Sequence, residues 1–320
     1  MSTWLLSIAG VLWFVWIGSL LRWRARPELR VGHPRDFVFP FAAVLIVLVR
    51  AILPAGSELA RFLDVYLLYG GLIGALGTVV WLASLARHDS SIMDIVYALV
   101  AAIPAAALVA WRGTWSAHEI IVVALAMIWS LRLSGYLAWR NLGHGVEDAR
   151  YASWRKRFGG NWWWWSYFQV FIMQGVLIWL WCLPLALALF AAPAAAGWQH
   201  VVAVIVFLAG FVFQAGGDWQ LERFKQTRSD RSEVLTGGLW SLTRHPNYFG
   251  EAVIWWSFWL CSLVHPWGWL TIVAPVYVTW FMAKGSATPM QERYLAKTKP
   301  AYAAYVARVP AFFPWTKAGG

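Results

Sequence analysis

Apolar residues run along this chain in stretches longer than a soluble core helix needs. About 20 consecutive apolar residues cross the hydrocarbon core of a bilayer. That rule predicts nine spans, at roughly 3–21, 37–55, 64–86, 93–111, 118–139, 163–191, 199–217, 248–265 and 267–284. Only a turn around His265-Pro266 separates the last two, so a tight helical hairpin is expected there. No internal repeat is visible. The expected fold is all-α, a polytopic transmembrane helix bundle of about nine spans. Residues 1–60 read as an N-terminal transmembrane addition, and 61–320 as the main membrane domain with a seven-helix core.

Composition agrees. The chain is 60% hydrophobic and 13% charged, with mean hydropathy +0.56. A soluble domain carries about 25% charged residues, so that class is excluded. The formal charge of +11 reports orientation in a membrane protein rather than nucleic-acid binding. Segments 22–36, 87–92, 140–162, 218–247 and 284–320 hold 22 of the 26 Lys and Arg residues, and nine spans place them all on one side. By the positive-inside rule that side is cytoplasmic, with the N-terminus outside and the C-terminus inside. The first run lacks a basic start and a small-residue cleavage site and is followed by Arg22, Arg24 and Arg26, so it reads as a retained anchor. The Trp162 to Trp165 run reads as part of an interfacial belt. Cys182 and Cys261 sit inside apolar runs as small core residues, and no disulfide or metal spacing is present.

Polar residues within or beside apolar runs are the candidates for chemistry. Asp94 and Tyr97 are three apart near a predicted helix start and share a face. They suit proton donation to a carbonyl, or else Asp94 only complements the helix dipole. Arg132 falls inside a span and requires an anionic partner, with Asp94, Glu251 or a bound phosphate as the options. The segment from Arg140 to Tyr151, including Arg150, mixes Gly, acids and Arg. It suits phosphate and ribose contacts, or is a solvated loop. Gln174 and Gln214 suit interhelical hydrogen bonding. Asp218, Glu222, Lys225 and Arg228 extend a span into the cytoplasm, as a solvated ion-pair face or a nucleotide contact. In the tail, Arg293, Tyr294, Tyr302, Tyr305 and Arg308 interleave aromatics with cations, which suits adenine stacking or a helix lying on the membrane surface.

One segment organises the rest: Gly237 to Glu251, GGLWSLTRHPNYFGE. Polar, Gly- and Pro-punctuated chain beside a membrane helix must be covered by protein or line a cavity. Arg244 and His245 suit phosphate, or else touch lipid headgroups. Pro246 suits the first helical turn. Asn247 and Glu251 share one helix face, and a buried Glu is costly unless paired. No Rossmann fingerprint, Walker loop or nucleophile elbow is present, so any nucleotide site must be built by the bundle and its loops.

The run Gly238-Leu239-Trp240 followed by Arg244-His245-Pro246-Asn247-Tyr248-Phe249-Gly250-Glu251, with a tail ending Phe313-Pro314, resembles the steroid 5-alpha-reductase family, in its bacterial membrane branch. The likeness covers roughly Ser90 to Trp315 and leaves the first two spans outside. Related membrane methyltransferases share the Arg-His-Pro core of this motif. Asn247 and Glu251 turn the likeness toward the reductases, and an S-adenosylmethionine-dependent methyltransferase is the alternative. The resemblance implies NADPH-dependent reduction of a carbon–carbon double bond conjugated to a ketone, on a lipophilic enone drawn from the bilayer of a bacterial inner membrane. It implies a nicotinamide end at Asn247, Tyr248 and Glu251. Gln214 and Asp218 match further motif positions, and Lys225 stands where the family often has Arg. Arg132, Arg140, Arg150, Arg228, Arg244, His245, Arg293, Tyr294 and Tyr305 complete the expected cofactor contacts. The animal enzymes' Gln-Glu pair has no recognisable counterpart here, so either Asp94 with Tyr97 takes its place or the substrate is not a steroid. Neither nucleic acid nor an obligate protein partner is expected.

Overall fold

A computed structural model describes residues 38–142 and 147–314. The predicted first span and residues 143–146 of the Arg140 to Tyr151 segment lie outside the described residues. Among the described residues the chain is helical throughout, with no strand. The architecture is a polytopic helix bundle, as expected. The principal helices are α1 (Val38–Ile52), α2 (Glu58–Arg87), α3 (Ile92–Arg112), α4 (Ala117–Leu142), α5 (Ala149–Phe158), α6 (Trp162–Ser166), α7 (Met173–Trp181), α8 (Leu183–Phe190), α9 (Trp198–Thr227), α10 (Pro246–Ser262), α11 (Val273–Trp280), α12 (Ala287–Thr298) and α13 (Tyr302–Val306).

Four of these, α2, α3, α4 and α9, are long and apolar enough to cross a membrane. The predicted span 163–191 is broken at Cys182, and counts as a fifth only if its two parts are taken together. The predicted span 267–284 divides into a 3-10 turn (Gly268–Ile272), α11 and a π turn (Phe281–Gly285). A hydropathy window registers apolar content and is blind to such breaks. Pro266, Gly268 and Pro275 interrupt the backbone ladder without lowering the average much.

The chain divides into two compact units. The first comprises the described residues within Met1–Ala107 and Leu133–Cys182. Here Tyr66 and Trp179 exchange side-chain-to-carbonyl hydrogen bonds of 2.9 and 2.8 Å, with their rings stacked at 4.7 Å. Each aromatic thus buries its area while its polar atom is satisfied. The Trp162 to Trp165 run only partly matches an interfacial belt. Trp162 and Trp165 are buried against Phe158, whereas Trp163 is exposed.

The second unit comprises Leu108–Arg132 and the described residues within Leu183–Gly320. Its spine is the pair α9 and α10, packed along their length. On α9 one stripe, Val201, Ile205, Leu208 and Val212, is exposed and apolar, as a lipid-facing stripe should be. The opposite stripe is Ala203, Phe207, Gly210, Gln214, Gly217 and Asp218, all buried. The glycines allow close approach. A Cβ on Gly250 would collide with the backbone nitrogen of Gln214 and the carbonyl of Gly210. One on Gly210 would lie 2.9 Å from the Gly250 carbonyl. At the far end of α9, Gly197 N–H donates to His200 Nδ1, so His200 Nε2 carries the proton shared with His118 Nδ1 at 2.7 Å. His118 Nε2 in turn donates to the Ala188 carbonyl at 2.8 Å.

A contrast of two substitutions tests the crossing. Gly250→Ala is expected to lower the melting temperature of the purified protein, because overpacking against backbone costs about 1–3 kcal/mol. Gly74→Ala, in α2 with nothing within 4 Å of its Cβ, is expected to be neutral or slightly stabilising.

Candidate functional site

Three helices of the second unit each supply two side chains about one turn apart. They are Trp129 and Arg132 from α4, Gln214 and Asp218 from α9, and Asn247 and Glu251 from α10. The i,i+3 or i,i+4 spacing puts each pair on one helix face. The result is two stacked polar layers between apolar surroundings. In the first, Glu251 Oε2 accepts from Trp129 Nε1 at 3.0 Å and from Gln214 Nε2. Its Oε1 accepts from Trp255 Nε1, one turn along α10, at 3.0 Å. In the second, Asp218 accepts from Arg132 Nη2 at 2.8 Å and from Asn247 Nδ2 at 2.9 Å. Gln214, Asp218 and Glu251 are all buried, while Arg132 and Asn247 are half-buried.

The partners account for the tolerance of charge at this depth. A buried ion is expensive unless paired and hydrogen-bonded, and removing one member of a buried pair costs about 3–5 kcal/mol. Arg132 therefore finds an anion, as an intramembrane Arg must. That anion is Asp218, which was not among the partners expected from sequence. Among the described residues, Gln214 Oε1 is buried and has no hydrogen-bond partner.

The first half of the motif does something else. Arg244 Nε and Nη2 donate to Glu292 at 3.0 and 3.1 Å, and its Nη1 donates to the carbonyls of Val306 and Val309. His245 Nε2 meets Glu292 at 2.7 Å, and the Tyr302 hydroxyl donates to it at 2.6 Å. Arg244 N–H donates to the Pro310 carbonyl. This clamp fastens the C-terminal tail to the start of α10. Tyr248 stacks on His245 with ring centres 5.4 Å apart. Tyr305 packs with Tyr302 and Val309 in a small core and donates to the Trp240 carbonyl, so its ring lies within the tail. Arg293 and Tyr294 are exposed on α12. Arg293 lines an open cavity of about 470 Å³ with Glu292, Lys299, Tyr302 and Val306.

Burial alone would raise the Glu292 carboxyl, but the hydrogen bonds from His245, Arg244 and Tyr302 outweigh it and hold it at about 2. Burial pushes His245 below its ordinary value, against the pull of Glu292.

In the first unit Asp94 is half-buried at the start of α3. Its Oδ2 accepts from Arg150 Nη2 and its Oδ1 from the Tyr151 hydroxyl, both at 2.6 Å. Gln174 Nε2 donates to that hydroxyl at 3.0 Å. The phenol hydrogen-bonded to Asp94 is thus Tyr151, a residue the sequence spacing did not single out. Tyr97 lies one turn further along α3, half-buried. Arg140 donates to Asn141 and sits over the Tyr136 ring. Lys225 pairs with Glu222 at 2.8 Å on an exposed face of α9, and Arg228 is the residue that ends that helix. Trp129, Trp255 and Glu292 were also missed: Trp129 and Glu292 meet partners far away in sequence, whereas Trp255 lies four residues from Glu251 on α10, a local spacing that marks it.

Residues 80–309 match a family described as a protein of unknown function, DUF1295, and the chain belongs to that family, a steroid 5-alpha-reductase-like one. Among curated proteins, the chain is similar to the steroid 5-alpha-reductase DET2 of Arabidopsis thaliana, with 31% identity over 105 residues. That match covers 33% of this chain, and the chain spans only 38% of the relative's length.

The clamp makes a prediction about acid. The folded carboxyl of Glu292 lies near 2 and an unfolded one near 4.5, so its stabilisation is complete above 4.5 and is lost as pH falls toward 2. The shift amounts to roughly 3 kcal/mol. His245, lowered in the fold, acts in the same sense, and its contribution begins to fall below pH 6.5. The melting temperature of the wild type is expected to drop on acidification through this window. Glu292→Gln is expected to lower it already at pH 7 and to flatten the dependence below pH 4.5.

Proposed function

We propose that this steroid 5-alpha-reductase-like protein is an integral membrane oxidoreductase. It reduces a carbon–carbon double bond conjugated to a ketone in a lipophilic, steroid-like substrate taken from the bilayer, with NADPH as reductant. The observation that carries this reading is the buried double layer on α4, α9 and α10. Perturbed or costly polar groups collected on rigid helices mark functional sites more often than chance. Asn247 and Glu251, the two motif positions that turn the resemblance toward reductases, lie one in each layer.

The residues present fit a nicotinamide carboxamide. That group offers N–H donors and one acceptor. The partnerless Gln214 Oε1 is a buried acceptor beside Glu251, and Asn247 adds an amide. When bound, the reduced nicotinamide supplies a hydride. Glu251, Gln214 and Asn247 orient the carboxamide, while Arg132 offsets the charge of Asp218 and so steadies Asn247. Cations of the helix ends and tail, among them Arg140, Arg150, Lys225, Arg228 and Arg293, attract the phosphates, with Tyr294 available for stacking. Asp94 and Tyr97 are assigned the acid side, polarising the substrate ketone. The membrane is the bacterial inner membrane, with the N-terminus outside and the basic loops and C-terminus in the cytoplasm. The methyl-transfer alternative gains no support from the relatives.

Ligand-dependent melting tests the cofactor. NADPH at about 100 times its dissociation constant is expected to add about 2.7 kcal/mol of stability, and S-adenosylmethionine none. The reverse result would replace the reductase reading with the methyltransferase one. Glu251→Gln is expected to reduce turnover of a steroid enone by at least about 100-fold while the protein still melts cooperatively.

A further inference from the structure

Glu251 is held by an unusual set of donors. Both carboxylate oxygens are occupied, Oε1 by the Trp255 indole N–H and Oε2 by the Trp129 indole N–H together with the Gln214 amide. Both indoles are fully buried, and their rings meet edge to face with centres 5.4 Å apart. The indole N–H donates and never accepts. Two such donors approach from different helices, Trp129 from α4 and Trp255 from α10, and bind opposite oxygens of one carboxylate. A protonated carboxyl would turn its own O–H toward an N–H donor on either side. Among the described residues, the side-chain acceptor left without a partner in the layer is Gln214 Oε1, reached by turning the amide over. The donor set therefore favours the ionised form and fixes the plane of the group, since rotation breaks both indole bonds together.

We infer that Trp129 and Trp255 are positioning residues, whose indole N–H groups keep Glu251 ionised and fix its carboxylate plane at the site. The inference rests on the place given to Glu251 in the proposed reductase site, but its test is separable from that reading. Hydrogen bonds to a charged group are worth about 1.5–3 kcal/mol, so loss of one N–H moves the protonation of Glu251 upward by about one pH unit or more. Trp→Phe removes the N–H and keeps most of the buried ring.

Infrared difference spectra of each variant against its own Glu251→Gln counterpart isolate the band of Glu251 without need of turnover. In the wild type at neutral pH the band is expected to be that of a carboxylate. In Trp129→Phe, Trp255→Phe and the double variant it is expected to convert progressively to that of a protonated acid as pH is lowered, with a midpoint at least one unit above the wild-type midpoint. The acid limb of the kcat profile for enone reduction is expected to move by the same amount, with KM for the enone little changed. Unchanged midpoints in folded single variants would overturn the inference even if reductase activity is present. A shifted midpoint without reductase activity would support the inference and overturn the function. If the Phe variants do not fold, the indole ¹⁵N–H resonances of the wild type and Glu251→Gln decide. Displacement of the Trp129 or Trp255 signal supports the inference, and no displacement overturns it.

Discussion

The contact on which the rest depends is backbone against backbone, where α9 crosses α10 at Gly210 and Gly250. Small residues let helices approach closely in a membrane, where apolar burial supplies little drive between helices and packing and hydrogen bonding must do more. With the two backbones this close, short side chains one turn away can reach each other. Gln214 meets Glu251, and Asp218 meets Asn247. Gly217 continues the seam, with the Asn247 nitrogen and Pro246 already 3.1 Å from where its Cβ would be. A bulkier residue at the crossing would part the helices, and both polar layers would lose their partners together. The resulting penalty is far larger than one lost contact, because it strands buried acids.

The motif segment divides its labour at Pro246. Before it, Arg244 and His245 are turned toward Glu292 and the tail carbonyls. After it, Asn247 and Glu251 are turned toward α9. Pro246 fixes the backbone between the halves and lacks the N–H that a first helical turn would leave unpaired. Substitutions in the two halves should therefore report different things. Those at Arg244 or His245 loosen the tail from the bundle, and those at Asn247 or Glu251 disturb the layers. Loss of function at Arg244 would be weak grounds for direct ligand contact, since its donors already serve the fold.

Much of this was legible in sequence where the governing rule is local. Helical character follows from apolar content. The shared face of Asn247 and Glu251 follows from helical spacing, as does that of Gln214 and Asp218, and Arg132 had to meet an anion. What escaped depends on which distant segments meet. Asp94 meets Tyr151 across 57 positions, Trp129 meets Glu251 across 122, and Arg244 meets Glu292 across 48. No periodicity encodes those pairings. The spans' interiors were hidden by a different blindness, because averaging hydropathy erases the break at Cys182 within 163–191 and the 3-10 and π turns within 267–284. The Trp run illustrates the same point. Four identical residues read as one belt, yet helical geometry turns Trp162 and Trp165 inward and Trp163 outward.

The site's rigidity is distributed unevenly, and that matters for the proposed chemistry. Trp129, Gln214, Asp218 and Glu251 stand on helix interiors with their rotamers fixed by packing and by one another. Lys225 and Arg293 stand on exposed faces of α9 and α12, with long side chains reaching into the surroundings. Orientation of a reacting group demands the first kind of support, since small displacements are expensive in rate. Attraction of phosphates needs only cations that can adjust, because Coulomb attraction is tolerant of geometry. Under the proposed reading, exposed cations contribute affinity and the buried layers contribute alignment. The two contributions are separable because they reside on different residues, the layers in helix interiors and the cations on exposed faces.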